Sequence, residues 1–166
     1  MAGKHSARKR ILSDIVLLDT SIYLNILDVP GFNQARNDVF MDFSTRINNN
    51  DYFFLPLMTI LETGNHIGQI RDGNKKREYS IKLVEDVSKA IKGEVPYRAT
   101  NFPSREEFSK WVTDFSENHH GISLGDHFII KEWEHTCKAN RMSRVLIWST
   151  DNHLVGYDRN PTKKRP

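Results

Sequence analysis

Four acidic residues, Asp19, Glu62, Asp126 and Asp151, stand at places in this chain where a fold could combine their chemistry. Asp19 closes the wholly apolar run Ile15–Leu18, and Asp151 follows a third strand-like run at residues 144–148. Glu62 and Asp126 each fall in the first turn of a helical stretch. The four are 43, 64 and 25 residues apart, so no local motif holds them together. Carboxylates gathered at one point repel one another. As an all-oxygen donor set they suit a hard divalent cation, Mg²⁺ or Mn²⁺, and so metal-assisted chemistry.

Each acid also has a purely local use. Thr59 and Glu62 have the spacing of a capping box, and Ser123 with Asp126 comes close to one. Either carboxylate would favour the positive end of its helix dipole. Asp19 and Asp151 could be N-caps. Capping explains each acid singly, but four acids aimed at one sheet edge exceed what capping requires. Other polar groups offer less. Glu62 and His66 are four residues apart and His127 and His135 eight apart, yet no compact set of three or four zinc ligands is formed. The single cysteine, Cys137, reads as a buried, inert thiol. No glycine-rich phosphate loop occurs.

The elements that must position the acids follow from periodicity. Ile15–Leu18 reads as a strand buried on both faces, and Thr20–Leu27 as a short helix stopping before Pro30. Residues 33–47 form a helix with Val39, Phe40, Phe43 and Ile47 on one side, and Tyr52–Leu55 a second strand. Helices are expected at 59–69 and at 75–92, where Ile81, Val84, Ser88 and Ile91 make one stripe. Residues 93–103 read as loop. The capping box Ser104 to Glu107 opens a helix whose Phe108, Trp111, Val112 and Phe115 read as core, and His119 and His120 end it. A helix at 123–139 precedes the last strand. Strands alternating with helices predict an α/β domain with a mainly parallel sheet, whose carboxyl edge is where ligands bind.

The composition fits one domain. The chain has 166 residues, 38% hydrophobic and 27% charged, which excludes a disordered or collagen-like chain. No apolar run approaches the roughly 18 residues of a membrane span. One cysteine excludes an internal disulfide, and a reducing, cytoplasmic setting is expected. Seven of the 24 basic residues lie in residues 1–10 and 163–166, leaving 17 against 21 acids, a net −4 for the body. The reading is therefore a basic arm at 1–10, a domain at 11–158 and a basic tail at 159–166. The two ends either hold a polyanion or are simply solvated.

Four segments then resemble the motifs of the PIN domain family, in that family's order. Residues 15–24 (IVLLDTSIYL) resemble its first strand, ending in Asp and hydroxyl residues. Residues 57–66 (LMTILETGNH) resemble its second motif, with Glu one turn into a helix. Residues 121–133 (GISLGDHFIIKEW) resemble the third, and 145–154 (VLIWSTDNHL) the fourth. The resemblance spans residues 14–158 and implies a three-layer α/β/α domain. It carries Asp19, Glu62, Asp126 and Asp151 over as metal-binding, catalytic acids, with Ser21 and Ser149 in support. Two departures separate the chain from the small toxin members: His127 and Phe128 follow Asp126, and 64 residues separate Glu62 from Asp126.

The implied activity is a metal-dependent endoribonuclease. Mg²⁺ or Mn²⁺ would bind the scissile phosphate, neutralise developing charge and lower the pKa of a water that attacks in line, leaving 5′-phosphate and 3′-hydroxyl ends. Asn65, three residues after Glu62, could hydrogen-bond such a water or a phosphate, or be an ordinary surface residue. Arg71, Lys75, Lys76 and Arg77 could flank a nucleic-acid groove, or be a solvated helix start. Single-stranded RNA is the substrate the resemblance favours. A small antitoxin protein and a second copy of the chain are the candidate partners. Two rival readings are a non-catalytic PIN-like binding module and a haloacid-dehalogenase-like phosphatase. The phosphatase needs a second Asp two residues after the first, where this chain has Ser21.

Overall fold

The computed structural model describes residues 13–117 and 121–162. The expected helix end at His119 and His120, the basic arm and residues 163–166 lie outside the described residues. The apolar runs make the sheet: β1 (Ile15–Leu18), β2 (Tyr52–Leu55), β3 (Tyr97–Ala99), β4 (Val145–Trp148) and β5 (Asp158–Arg159). Their order is β3-β2-β1-β4-β5. β1 is parallel to β2 and β4, β2 is parallel to β3, and β5 alone runs antiparallel, on β4. Every residue of β1 and β4 is buried, as strands covered on both faces require.

The described residues form six helices around the sheet: α1 (Thr20–Leu27), α2 (Arg36–Asn48), α3 (Leu57–Gly68), α4 (Gly73–Lys92), α5 (Arg105–Glu117) and α6 (Leu124–Ala139). The period of two along the strands divides the core. Val16, Leu18, Leu146 and Trp148 pack with Ile22, Tyr23, Leu27, Phe43, Ile67 and Ala90 from α1 to α4. Ile15, Leu17, Val145 and Ile147 pack instead with Ile129, Ile130 and the buried Cys137 of α6. The result is a three-layer α/β/α arrangement with a mainly parallel sheet. Two polar ties fix its edges. Asp86 of α4 accepts hydrogen bonds from Tyr23 at 2.6 Å and Tyr97 at 2.8 Å, joining α1 and β3. Arg144 reaches Asp14 at 2.8 Å and Asp158 at 2.7 Å, joining the starts of β1 and β4 to β5.

Several expectations from periodicity are corrected. The loop expected at 93–103 contains β3. α3 begins at Leu57 behind Pro56, so Thr59 and Glu62 form no capping box; Thr59 is buried and donates to the Leu18 carbonyl at 2.7 Å. The stripe Ile81, Val84 and Ile91 of α4 is exposed, 71% so at Ile91, because the helix packs through Tyr79, Leu83 and Ala90. The α5 aromatics pack on α6: Phe108 and Trp111 each lie 5.5 Å from Phe128, while Phe108 and Val112 stay exposed. The capping box at its start forms as read, with Ser104 and Glu107 exchanging bonds of 2.9 and 3.1 Å. Just past residue 158, Arg159 donates to the carbonyls of Cys137, Asn140 and Ser143.

Candidate active site

β1 lies between β2 and β3 on one side and β4 and β5 on the other, so the order in which the chain adds strands reverses beside it. The carboxyl ends of β1 and β4 are therefore the topological switch point, where an open α/β sheet leaves a crevice. The first residues past these two strands meet there. Asp19 donates its backbone N–H to the Trp148 carbonyl at 3.0 Å, which places Ser149 beside it.

Asp19 is the N-cap of α1 and is only 6% exposed. Its Oδ2 accepts three hydrogen bonds: from the Ser21 N–H at 3.2 Å, the Ser21 hydroxyl at 2.7 Å and the Ser149 hydroxyl at 2.7 Å. No donor among the described residues reaches Oδ1. The serines are braced in turn, since Ser21 Oγ accepts from the Thr150 N–H at 3.0 Å and Ser149 Oγ from the Asp151 N–H at 2.8 Å. The loop after β4 is thus tied to the start of α1 through one carboxylate oxygen. Asp151 is exposed and accepts from the His153 N–H at 2.9 Å, a short turn that fixes its backbone.

Glu62 and Asp126 come from helices on opposite faces of the sheet. The Glu62 Oε2 accepts from the Thr20 hydroxyl at 2.8 Å, across 42 residues of sequence. It caps nothing. Asp126 lies in the first turn of α6, where Ser123 Oγ accepts its N–H at 3.0 Å. α3 and α6 approach closely because Gly125 has no side chain; a Cβ there would collide with Glu62 Oε1.

All four carboxylates line one cleft of about 500 Å³, with Thr20, Ser21 and Thr150. Burial raises the Glu62 carboxyl above the usual carboxylate range; the Thr20 hydrogen bond opposes this, and the charges of Asp126 and Asp19 add to it. Burial likewise raises Asp126 against hydrogen bonds from Ser123, with Asp19 and Asp151 adding to the rise. The acids therefore feel one another. Among the described residues, no three His, Cys, Asp or Glu side chains stand close enough to ligate one ion as they are. Mutually repelling carboxylates splay, and converging on a cation would need side-chain rotation within the cleft. The all-oxygen donor set suits Mg²⁺ or Mn²⁺.

The remaining expected residues lie elsewhere. Asn65 is exposed and does not line the cleft. Arg71, Lys75, Lys76 and Arg77 stand at and before the start of α4, outside the cleft, with no ion pair among the described residues. Sequence reading missed Thr20 and Gly125, and it set His66 aside. The run Asp19-Thr20-Ser21 and the glycine directly before Asp126 were the available signals. His127 is buried, its Nε2 2.8 Å from the Trp111 carbonyl, and His135 faces Glu107. Neither belongs to the cleft.

No family model and no curated protein matches the chain. Among solved structures it is similar to the crystal structure of FitAcB from Neisseria gonorrhoeae, at 18% identity and a TM-score of 0.52. The match covers 82% of this chain and 87% of that one. At that identity the likeness concerns the fold, a PIN-like α/β/α arrangement with a mostly parallel five-stranded sheet. No helix among the described residues is long and apolar enough to cross a membrane.

Proposed function

We propose that the chain is a metal-dependent endoribonuclease of the PIN type. The observation that carries this reading is the meeting of Asp19, Glu62, Asp126 and Asp151, from four separate segments, in one cleft at the sheet's switch point. Asp19, through Oδ1, and Asp151 are the first candidates to hold Mg²⁺ or Mn²⁺. Glu62 and Asp126 would complete the site directly or through water. A cation there would offset the burial and mutual repulsion that raise Glu62 and Asp126, and would supply Lewis acidity at the scissile phosphate. The chain's own contribution is orientation. Ser21 and Ser149 hold Asp19 by one oxygen, Thr20 holds Glu62, and Ser123 holds Asp126.

The implied substrate is single-stranded RNA, cleaved to 5′-phosphate and 3′-hydroxyl ends. Arg71, Lys75, Lys76 and Arg77 are candidates for backbone contact along the approach, as are the basic ends. A small antitoxin protein and a second copy of the chain are the candidate partners. The test is incubation with mixed RNA and DNA, in Mn²⁺ or in EDTA, followed by end-group analysis. Cleavage of RNA in Mn²⁺ alone, with the expected ends, supports the proposal; metal-independent cleavage or none would remove it.

A further inference from the structure

We infer that the part of the cleft lining without acids is a nucleobase subsite, built by Phe32, His66, Asn25 and Gln34. The inference rests on the ribonuclease reading for the identity of its ligand. The cleft is lined by two chemically distinct sets of residues. One is the four acids. The other is Leu24, Asn25, Phe32, Gln34, Ala35 and His66, with no Asp, Glu, Lys or Arg among them. A phosphate with its cation suits the first set. The second has no Lys or Arg to pair with a phosphate, and suits a neutral group attached to one.

Its surfaces favour a flat ring. Phe32 and His66 are half-buried and pack with ring centroids 4.5 Å apart, tilted by 54°. Aromatic walls of this kind stack bases with little regard to sequence. Its polar atoms call for an edge that hydrogen-bonds. Asn25 is 4% exposed, and its Oδ1 has no partner. The His66 Nδ1 is also buried and without a partner. Asn25 cannot turn away, since its Nδ2 donates to the Ser21 carbonyl at 2.7 Å and its own carbonyl accepts from Arg36 at 2.6 Å. A purely apolar ligand would leave both atoms unmet. A base brings a stacking face and N–H donors together, and one in a paired duplex would have to leave its stack to enter, which selects single-stranded RNA.

The probes are the four nucleoside 5′-monophosphates, titrated into the full chain in Mg²⁺ and followed by NMR at the His66 ring and by Kd. At least one should shift the His66 ring protons upfield by ring current. Its Kd should rise about tenfold in His66→Ala and in Phe32→Leu, as loss of a base–aromatic stack predicts. Leucine keeps the Phe32 site filled and guards against loss of folding. No shift at His66 with millimolar nucleotide, or an unchanged Kd in both variants, would overturn the subsite. The two readings fail separately. RNA cleaved by both variants with the parental KM would refute the subsite and spare the nuclease. Nucleotide binding lost in both variants of a protein that cleaves no RNA would keep the subsite and remove the nuclease.

Discussion

Gly125→Ala isolates the placement of Glu62 from the presence of its carboxylate. Gly125 is buried in the first turn of α6 with ordinary helical backbone. A Cβ there would lie 2.7 Å from Glu62 Cδ and would collide with Oε1. Atoms that close must separate, and the side chain with freedom to move is Glu62. Its departure breaks the 2.8 Å bond from Thr20, worth about 1 kcal/mol. Alanine in place of glycine within a helix returns about 0.5–1 kcal/mol. The two nearly cancel, so the metal-free variant should melt within about 2 °C of the parent. Activity should not be spared, because displacement of a positioned group by about 1 Å can cost roughly 10²-fold in rate. The assay is kcat/KM on single-stranded RNA in Mn²⁺, beside melting curves in EDTA. Gly68→Ala, where a Cβ meets nothing within 4 Å, is the control and should leave cleavage unchanged. Parental cleavage by Gly125→Ala would refute the assignment of Glu62.

Further outcomes follow from the same geometry. Asp19→Asn and Asp151→Asn should each lose most cleavage, yet leave the metal-free protein at least as stable, since Asn caps as well as Asp and one repelling charge is gone; full activity in either removes that residue from the site. Glu132 is only 8% exposed, and burial pushes its carboxyl up to about 7, against the lowering influence of the nearby Thr100 hydroxyl and Leu57 N–H. The folded state therefore holds this proton more tightly than the unfolded chain, and stability falls as pH rises from about 4.5 toward 7. Glu132→Gln keeps an acceptor for Leu57 and should gain about 3 kcal/mol by urea denaturation at pH 8, with little change at pH 4; no gain at pH 8 would refute the cost of that charge. Because Glu62 and Asp126 are raised, protons compete with metal, so the Mn²⁺-induced rise in melting temperature should shrink on going from pH 7.5 to pH 5.

The parts of the fold legible in the sequence were those fixed by local pattern. Ile15–Leu18 and Val145–Trp148 are apolar throughout, so they had to be covered on both faces, and the acids following them had to meet at one edge. β3 has three residues and β5 two, too short for any periodicity, and each exists only because a longer strand offers its edge. α4 carries apolar residues on two sides. The side with Tyr79, Leu83 and Ala90 is inward because Asp86 binds Tyr23 and Tyr97, and no pattern in α4 alone discloses those partners. Glu62 was found from its place after the second strand, but its anchor was not. Thr20 lies 42 residues away, and the capping box that seemed to explain Glu62 gave way to a helix starting behind Pro56. The part of the cleft lining without acids escaped because Asn25, Phe32 and His66 share no spacing.

The central claim is that these four carboxylates hold a divalent cation, and Mn²⁺ binding followed by the EPR signal of the free ion tests it most directly. The parent should show saturable binding that also raises its melting temperature, by about 2.7 kcal/mol of stability at 100 times Kd. Replacing Asp19 and Asp126 together by Asn should abolish that binding in a protein that remains folded. Equal Mn²⁺ binding in parent and variant, or no saturable binding by the parent at millimolar Mn²⁺, would contradict the account.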